Sequence, residues 1–197
     1  MTKLILISVV CGMAAGHLFL PAAFIEASGT LLIIGLCILL FFVGVDIGTA
    51  GTVVDNFKKV GIRILAFPVA AAAGTFAGVA LASFLLSMTV KDALAVGAGF
   101  GWYTLAPVIL ADYSTEVSAI SFMHNVMREM LGIVLIPIVA KRVGYLEATA
   151  LPGAAAMDVC LPVVERATSS DVAVYSFVMG VTLSFLVPLL VPLIIGL

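Results

Sequence analysis

Residues 117–139 read VSAISFMHNVMREMLGIVLIPIV. As a helix this stretch is long enough to cross a bilayer, for which ~20 apolar residues are needed. Near its midpoint, however, it carries His124, Asn125, Arg128 and Glu129. A charged side chain at the bilayer centre costs about 2.5–3.5 kcal/mol on insertion scales. A helix that served only as a span would not carry two such charges, so we predict that this one lines a polar interior.

The rest of the chain is equally apolar. Of its 197 residues, 63% are hydrophobic and 10% are charged, and the formal net charge is −2; the mean hydropathy is +1.31. Soluble domains carry about 25% charged residues, and nucleic-acid binders need a basic surface. The composition therefore excludes both classes. It predicts one all-α polytopic membrane domain over residues 1–197, in contact with lipid.

Five segments are predicted to cross the membrane completely, and two others are interrupted by glycine and proline. Irregular backbone at membrane depth is tolerated only inside protein or beside a water-filled cavity. The interrupted segments are Ala93–Leu110 and Ala148–Val164, and each is either a broken crossing or a re-entrant hairpin. The complete spans are Leu4–Leu20, Leu31–Val45, Ile62–Leu86, Val117–Val139 and Val172–Gly196, the last with kinks expected at Pro188 and Pro192.

Loop charges distinguish the two topologies, because cytoplasmic loops are enriched in Lys and Arg. If both interrupted segments cross, five basic loop residues lie on one side and three on the other. If both re-enter, seven lie together, and Lys91 is alone on the other side. We therefore predict five spans and two re-entrant segments in the inner membrane, with the N-terminus cytoplasmic and the C-terminus outside. The two segments then enter from opposite faces, as in inverted-repeat transporters.

The polar residues of 117–139 recur at helical spacing. Ser118, Ser121, Asn125, Glu129 and Gly132 share one face, and His124 and Arg128 lie on an adjoining face. Adjacent helical residues point about 100° apart, so Arg128 and Glu129 cannot pair face to face. We predict a binding role for Glu129. A structural role remains the alternative for Arg128, His124 and Asn125.

The two interrupted segments supply the other candidates. Asp158 follows a run of small residues, which allows a ligand or backbone to approach closely. In the first segment, Gly99 and Gly101 permit unwound backbone whose N–H groups suit a carboxylate, and Trp102 and Tyr103 adjoin them. The two acidic side chains suit ammonium groups, or an exchanged H⁺ or Na⁺. No other cofactor and no resident metal is expected.

Four motifs of the chain resemble the LysO lysine exporter family. They are Gly99–Tyr103 (GFGWY), Arg128-Glu129 followed by Ile136-Pro137, Met157-Asp158 followed by Leu161-Pro162, and Ser184–Pro188 (SFLVP); Leu40–Gly48 (LFFVGVDIG) is similar as well.

The resemblance implies an inner-membrane exporter of L-lysine or a related cationic or zwitterionic amino acid, in which Glu129 and Asp158 are the essential acidic pair. Longer relatives carry extra spans ahead of the matching region. This short form is therefore expected to form a homo-oligomer, or to use a small membrane partner that supplies those spans.

The sequence also bears on two other classes of protein. A passive channel or a non-transporting subunit of a two-component complex is the main alternative to a carrier. An intramembrane aspartyl protease would need an Asp directly after the Gly-x-Gly turn, where this chain has Trp102. We therefore predict that the protein is not an enzyme.

Overall fold

The computed structural model describes residues 64–196, together with separate residues between 7 and 16 and between 34 and 49. The described residues of those two early groups are helical. The rest of the predicted spans Leu4–Leu20 and Leu31–Val45 lies outside the described residues.

The part of the chain that the structure describes is helical and contains no strand, which confirms the all-α prediction. From residue 66 onward, two short α-helices lie between one long α-helix and the next. They are α1 (Ala66–Ser83), α2 (Val90–Gly97), α3 (Ala106–Ala111), α4 (Thr115–Arg142), α5 (Tyr145–Thr149), α6 (Leu161–Ala167) and α7 (Ser170–Ile195), with a 3₁₀ helix, Gly153–Met157, between α5 and α6.

Within the described residues, α1, α4 and α7 are long and apolar enough to cross a membrane. They coincide with three of the five predicted spans. Serine caps start α4 and α7: the Ser114 hydroxyl accepts from the Val117 amide at 3.3 Å, and the Ser169 hydroxyl accepts from the Val172 amide at 3.4 Å. Helix α7 continues through Pro188 and Pro192 without interruption.

The first interrupted segment folds back on itself. Its two arms are α2 and α3, and the break between them covers residues 98–105. The two ends of this first hairpin lie side by side. Tyr113, just after α3, donates a 2.9 Å hydrogen bond from its hydroxyl to the carboxylate of Asp92 in the first turn of α2. The Ser118 hydroxyl donates to the Pro107 carbonyl at 2.7 Å. The base of the first hairpin therefore lies beside the N-terminal end of α4.

The second interrupted segment also folds back, with α5 and α6 as its arms. Ala148 of α5 and Val164 of α6 share one buried cluster with Ile136 and Ala140, near the C-terminal end of α4. Val172, at the start of α7, packs against the same cluster. The second hairpin therefore starts from the opposite end of α4, and the two hairpins point towards each other.

Helix α7 runs antiparallel to α4 and contacts both hairpins. At its C-terminal end, the Ile195 carbonyl accepts a 3.0 Å hydrogen bond from Lys91, which lies at the base of the first hairpin. Near its start, the Ser176 hydroxyl donates to the Ala156 carbonyl of the second hairpin at 2.8 Å. The tips of both hairpins thus meet between α4 and α7.

Candidate functional site

The two tips are joined through their backbones. The Ala154 amide donates to the Phe100 carbonyl at 2.7 Å. A Cβ on Gly101 would lie 2.6 Å from the Pro152 carbonyl oxygen, and a Cβ on Gly153 would overlap the Phe100 carbonyl. A glycine of each tip therefore faces a carbonyl of the other, and only glycine allows this approach.

Backbone conformation at the tips gives a second reason for these glycines. Gly101 has φ 97° and Gly153 has φ 67°, in the left-handed region that glycine adopts at no steric cost. Phe100, at φ 45°, shares this region without being glycine. Its side chain is fully buried, and its ring packs edge-on against Phe76 with centroids 5.5 Å apart. This packing holds the residue in its costly conformation.

Asn125 of α4 fixes the first tip. Its side-chain carbonyl accepts from the Gly101 amide at 2.7 Å. Its side-chain amide donates to the Ser121 carbonyl at 2.8 Å and to the Ser121 hydroxyl at 3.1 Å. Both polar atoms of this fully buried side chain are thus satisfied within the protein. Gly99 lies directly against the Asn125 amide, where a Cβ would collide with it.

Arg128, one helical turn further along α4, fixes the second hairpin. Its guanidinium donates to the Leu151 carbonyl at 3.1 Å and to the Ala150 carbonyl at 3.2 Å. A third hydrogen bond, also 3.2 Å, reaches the Thr75 hydroxyl of α1. The carbonyls follow the end of α5, where helices leave acceptors without an intrahelical partner. Arg128 therefore ties α1, α4 and the second hairpin together.

A cavity of about 120 Å³ lies where the tips meet α4 and α7. Glu129 of α4 and Asp158 of the second tip both line it. Around them lie the first tip, contributing Gly101, Trp102, Tyr103 and Thr104, and Ser184 of α7. The two costly carboxylates identified from sequence thus face one space.

Comparison with known proteins places the chain in a family. The family model described as "Lysine exporter LysO" matches residues 6–195, nearly the whole chain. The chain belongs to the lysine exporter LysO family. The LysO relatives of known name include "Lysine exporter LysO" of Escherichia coli (strain K12), 31% identical over 157 residues, which are 79% of this chain and 52% of that protein.

A second LysO relative is the protein named "Putative lysine exporter" of Haemophilus influenzae (strain ATCC 51907 / DSM 11121 / KW20 / Rd). It is 29% identical over 157 residues, which are 77% of each chain. The matched part of this chain spans about half the length of the Escherichia coli relative. No solved structure shows significant similarity to the chain.

Not every candidate chosen from sequence lines the cavity of this LysO family member. Glu129, Asp158, Gly101, Trp102 and Tyr103 do. The other five do not line it. Ser121, Asn125, Gly99 and Arg128 hold the hairpins as described above, and His124 is half-buried with its Nε2 atom lacking a hydrogen-bond partner among the described residues.

Three residues of α7 were absent from the sequence-based set. Ser176 holds the second tip through Ala156, and Ser184 lines the cavity. Between them, a Cβ on Gly180 would collide with the Met157 amide, so this glycine lets the second tip lie against α7. Their spacing of four residues places them on one helix face, a pattern that could have identified the face from sequence.

The charges that line this cavity are not balanced by a described cation. Among the described residues, no Lys, Arg or His lines it. Asp158 accepts a 2.6 Å hydrogen bond from the Val159 amide. The Glu129 carboxylate has no hydrogen bond or ion pair with any described residue. Arg128 uses its guanidinium on neutral oxygens instead, which agrees with the prediction that Arg128 and Glu129 do not pair. Such a cavity attracts a cation.

Proposed function

We propose that this chain exports L-lysine, or a related cationic or zwitterionic amino acid, in exchange for H⁺ or Na⁺. The observation that carries the proposal is the shared cavity of Glu129 and Asp158, which no described cation balances. An unpaired charge inside a protein is costly. A carboxylate kept there without a partner therefore suits a ligand that brings the positive charge itself.

Exchange follows from the same pair of carboxylates. An ammonium group of the cargo and a proton or Na⁺ compete for the same oxygens, so binding of one favours release of the other. The amides of Gly101, Trp102 and Tyr103, which the sequence suggested for the carboxylate of an amino acid, donate within the protein instead. Asn125 and Arg128 then serve transport by positioning the two tips.

The proposed substrate agrees with the names of the relatives, two of which are called lysine exporters. We also propose that this chain works as a homo-oligomer or together with a small membrane partner.

The proposed topology has five full spans and two re-entrant hairpins. Both hairpins return to the end at which they start, which supports re-entry. Lys141, Arg142 and Arg166 then lie at the end of the second hairpin's base, and Lys91 lies at the opposite end. By the positive-inside rule the base of the second hairpin is cytoplasmic. The protein then lies in the inner membrane, with its N-terminus cytoplasmic and its C-terminus outside.

Lysine flux in proteoliposomes tests this function. We expect saturable exchange of internal for external lysine, and net accumulation of lysine when an opposing gradient of H⁺ or Na⁺ is imposed. The ion whose gradient drives accumulation is the coupling ion. Flux that neither saturates nor responds to either gradient would identify a passive pore. The absence of lysine flux would contradict the proposed function and favour a non-transporting subunit.

A further inference from the structure

A second, apolar pocket adjoins the carboxylate cavity. Its volume is about 390 Å³, and the surface facing it is entirely apolar. Three of its lining residues, Trp102, Met157 and Ser184, also line the carboxylate cavity. The remaining wall is the outer face of α7, formed by Val181, Phe185 and Pro188. The cavity that contains Glu129 and Asp158 and the apolar pocket are thus separated by one shared wall.

Lysine does not explain this pocket. If the backbone groups of a lysine occupied the carboxylate cavity, its side chain would carry the second ammonium group into the apolar pocket. An ammonium group that leaves water and finds no polar partner there is strongly disfavoured, as buried unpaired ions are. The complementary ligand instead has one ammonium group and an uncharged tail.

We infer that the site binds primary alkylammonium ions, whose head lies at Glu129 and Asp158 and whose hydrocarbon tail lies in the apolar pocket beside Trp102. This inference rests on the proposed function in one respect, that the two carboxylates hold the ammonium group of the cargo. Such amines therefore compete with the transported amino acid for the carboxylates. Their affinity grows with tail length, because each methylene removed from water favours binding.

The molecule contains its own probe for this ligand. Trp102 is the single tryptophan of the chain, and it lies in the wall between the two compartments. Titration of the purified protein in nanodiscs with propylamine and hexylamine at neutral pH, followed by tryptophan fluorescence, gives the two affinities. Each added methylene should tighten binding about threefold to fourfold, so hexylamine should bind far better than propylamine.

Tails also partition into lipid, and a matched pair of variants separates the two effects. Val181→Phe narrows the pocket, and Leu193→Phe places the same group on an exposed site of the same helix, outside the pocket. The hexylamine-to-propylamine affinity ratio should fall at least fivefold in Val181→Phe and stay at the wild-type value in Leu193→Phe. Because the ratio is taken within one variant, a change in folded fraction does not alter it. Phe185→Ala, which removes part of the wall, should lower the ratio as well.

Two results would overturn the inference. If the hexylamine-to-propylamine affinity ratio were equal in wild type, Val181→Phe and Phe185→Ala, the tail would lie in lipid. Unchanged hexylamine binding in the Glu129→Gln, Asp158→Asn double variant would show that the head lies elsewhere. Either result leaves the proposed function intact if lysine exchange is observed. Conversely, a pocket-dependent ratio without lysine exchange would contradict the proposed function alone.

Discussion

The Ala154 amide and the Phe100 carbonyl are joined by a 2.7 Å hydrogen bond, and this bond connects the tips of two hairpins that start from opposite ends of α4. The tips are buried at this contact. The hydrogen bond, the glycine contacts on either side of it and the two side chains that hold the tips set the shape of the cavity beside it.

Replacing Gly153 by alanine should separate the tips. The new Cβ would overlap the Phe100 carbonyl, and the residue has a φ of 67°. We expect a loss of about 2–4 kcal/mol of stability, from left-handed strain of about 1–2 kcal/mol and from the clash. Thermal unfolding of the purified protein in detergent measures this effect.

Gly196→Ala is the matched control for that substitution. Gly196 also has a positive φ, 87°, but no described atom lies within 4 Å of its Cβ position. This variant should lose only the stability that left-handed strain costs, about 1–2 kcal/mol. If the two variants unfolded at the same temperature, the contact between the tips would contribute nothing to stability.

Arg128→Met should destabilise the second hairpin. The variant leaves the Leu151 and Ala150 carbonyls without their donor, and each unsatisfied buried group costs about 1–3 kcal/mol. Arg128→Lys keeps the charge but cannot reproduce the forked geometry, so it should be intermediate. Thr75→Val removes the third bond of Arg128 and the hydrogen bond that the Thr75 hydroxyl donates to the Ala71 carbonyl, but leaves both hairpin carbonyls bonded, so it should be the mildest. Wild-type stability of Arg128→Met, measured by thermal unfolding, would show that the guanidinium does not hold this hairpin.

Asn125→Leu should loosen the first tip, because it leaves the Gly101 amide without its acceptor. We expect the free energy of unfolding to fall by about 1–3 kcal/mol. The rate of lysine exchange should fall as well, because the first tip forms one wall of the cavity. Ser121→Ala removes one partner of Asn125 but leaves the Ser121 carbonyl, so it should cost less. Hydrogen exchange at the first tip should accelerate in Asn125→Leu. Unchanged protection there would show that Asn125 does not hold the tip.

The membrane orientation is tested by cysteine labelling in a background that lacks Cys11, Cys37 and Cys160. Lys141→Cys should react with an impermeant maleimide only after the membrane is opened, and Asp112→Cys should react in intact cells. Labelling of both residues from outside would contradict the re-entrant topology.

The two carboxylates that line the cavity could be selected from the sequence. Glu129 and Asp158 are expensive at membrane depth, and a free-energy cost is visible in a single sequence. The helical spacing also placed Ser121, Asn125 and Glu129 on one face, and in the structure that face contacts the hairpins and the cavity.

The roles of the supporting residues could not be predicted in the same way. Arg128 bonds to backbone carbonyls, and every residue has a carbonyl, so no sequence pattern marks these acceptors. Ser176, Gly180 and Ser184 were not chosen as site residues because small residues cost little in an apolar helix. Their function depends on the second tip lying against α7, a contact between distant parts of the chain.

Lysine counterflow in proteoliposomes that contain Glu129→Gln or Asp158→Asn tests the central claim most directly. Both changes keep the shape of the side chain and remove its charge. We expect each to lower exchange at least tenfold, while Glu116→Gln, in the exposed first turn of α4, keeps the wild-type rate. Wild-type exchange in both cavity variants would contradict the account.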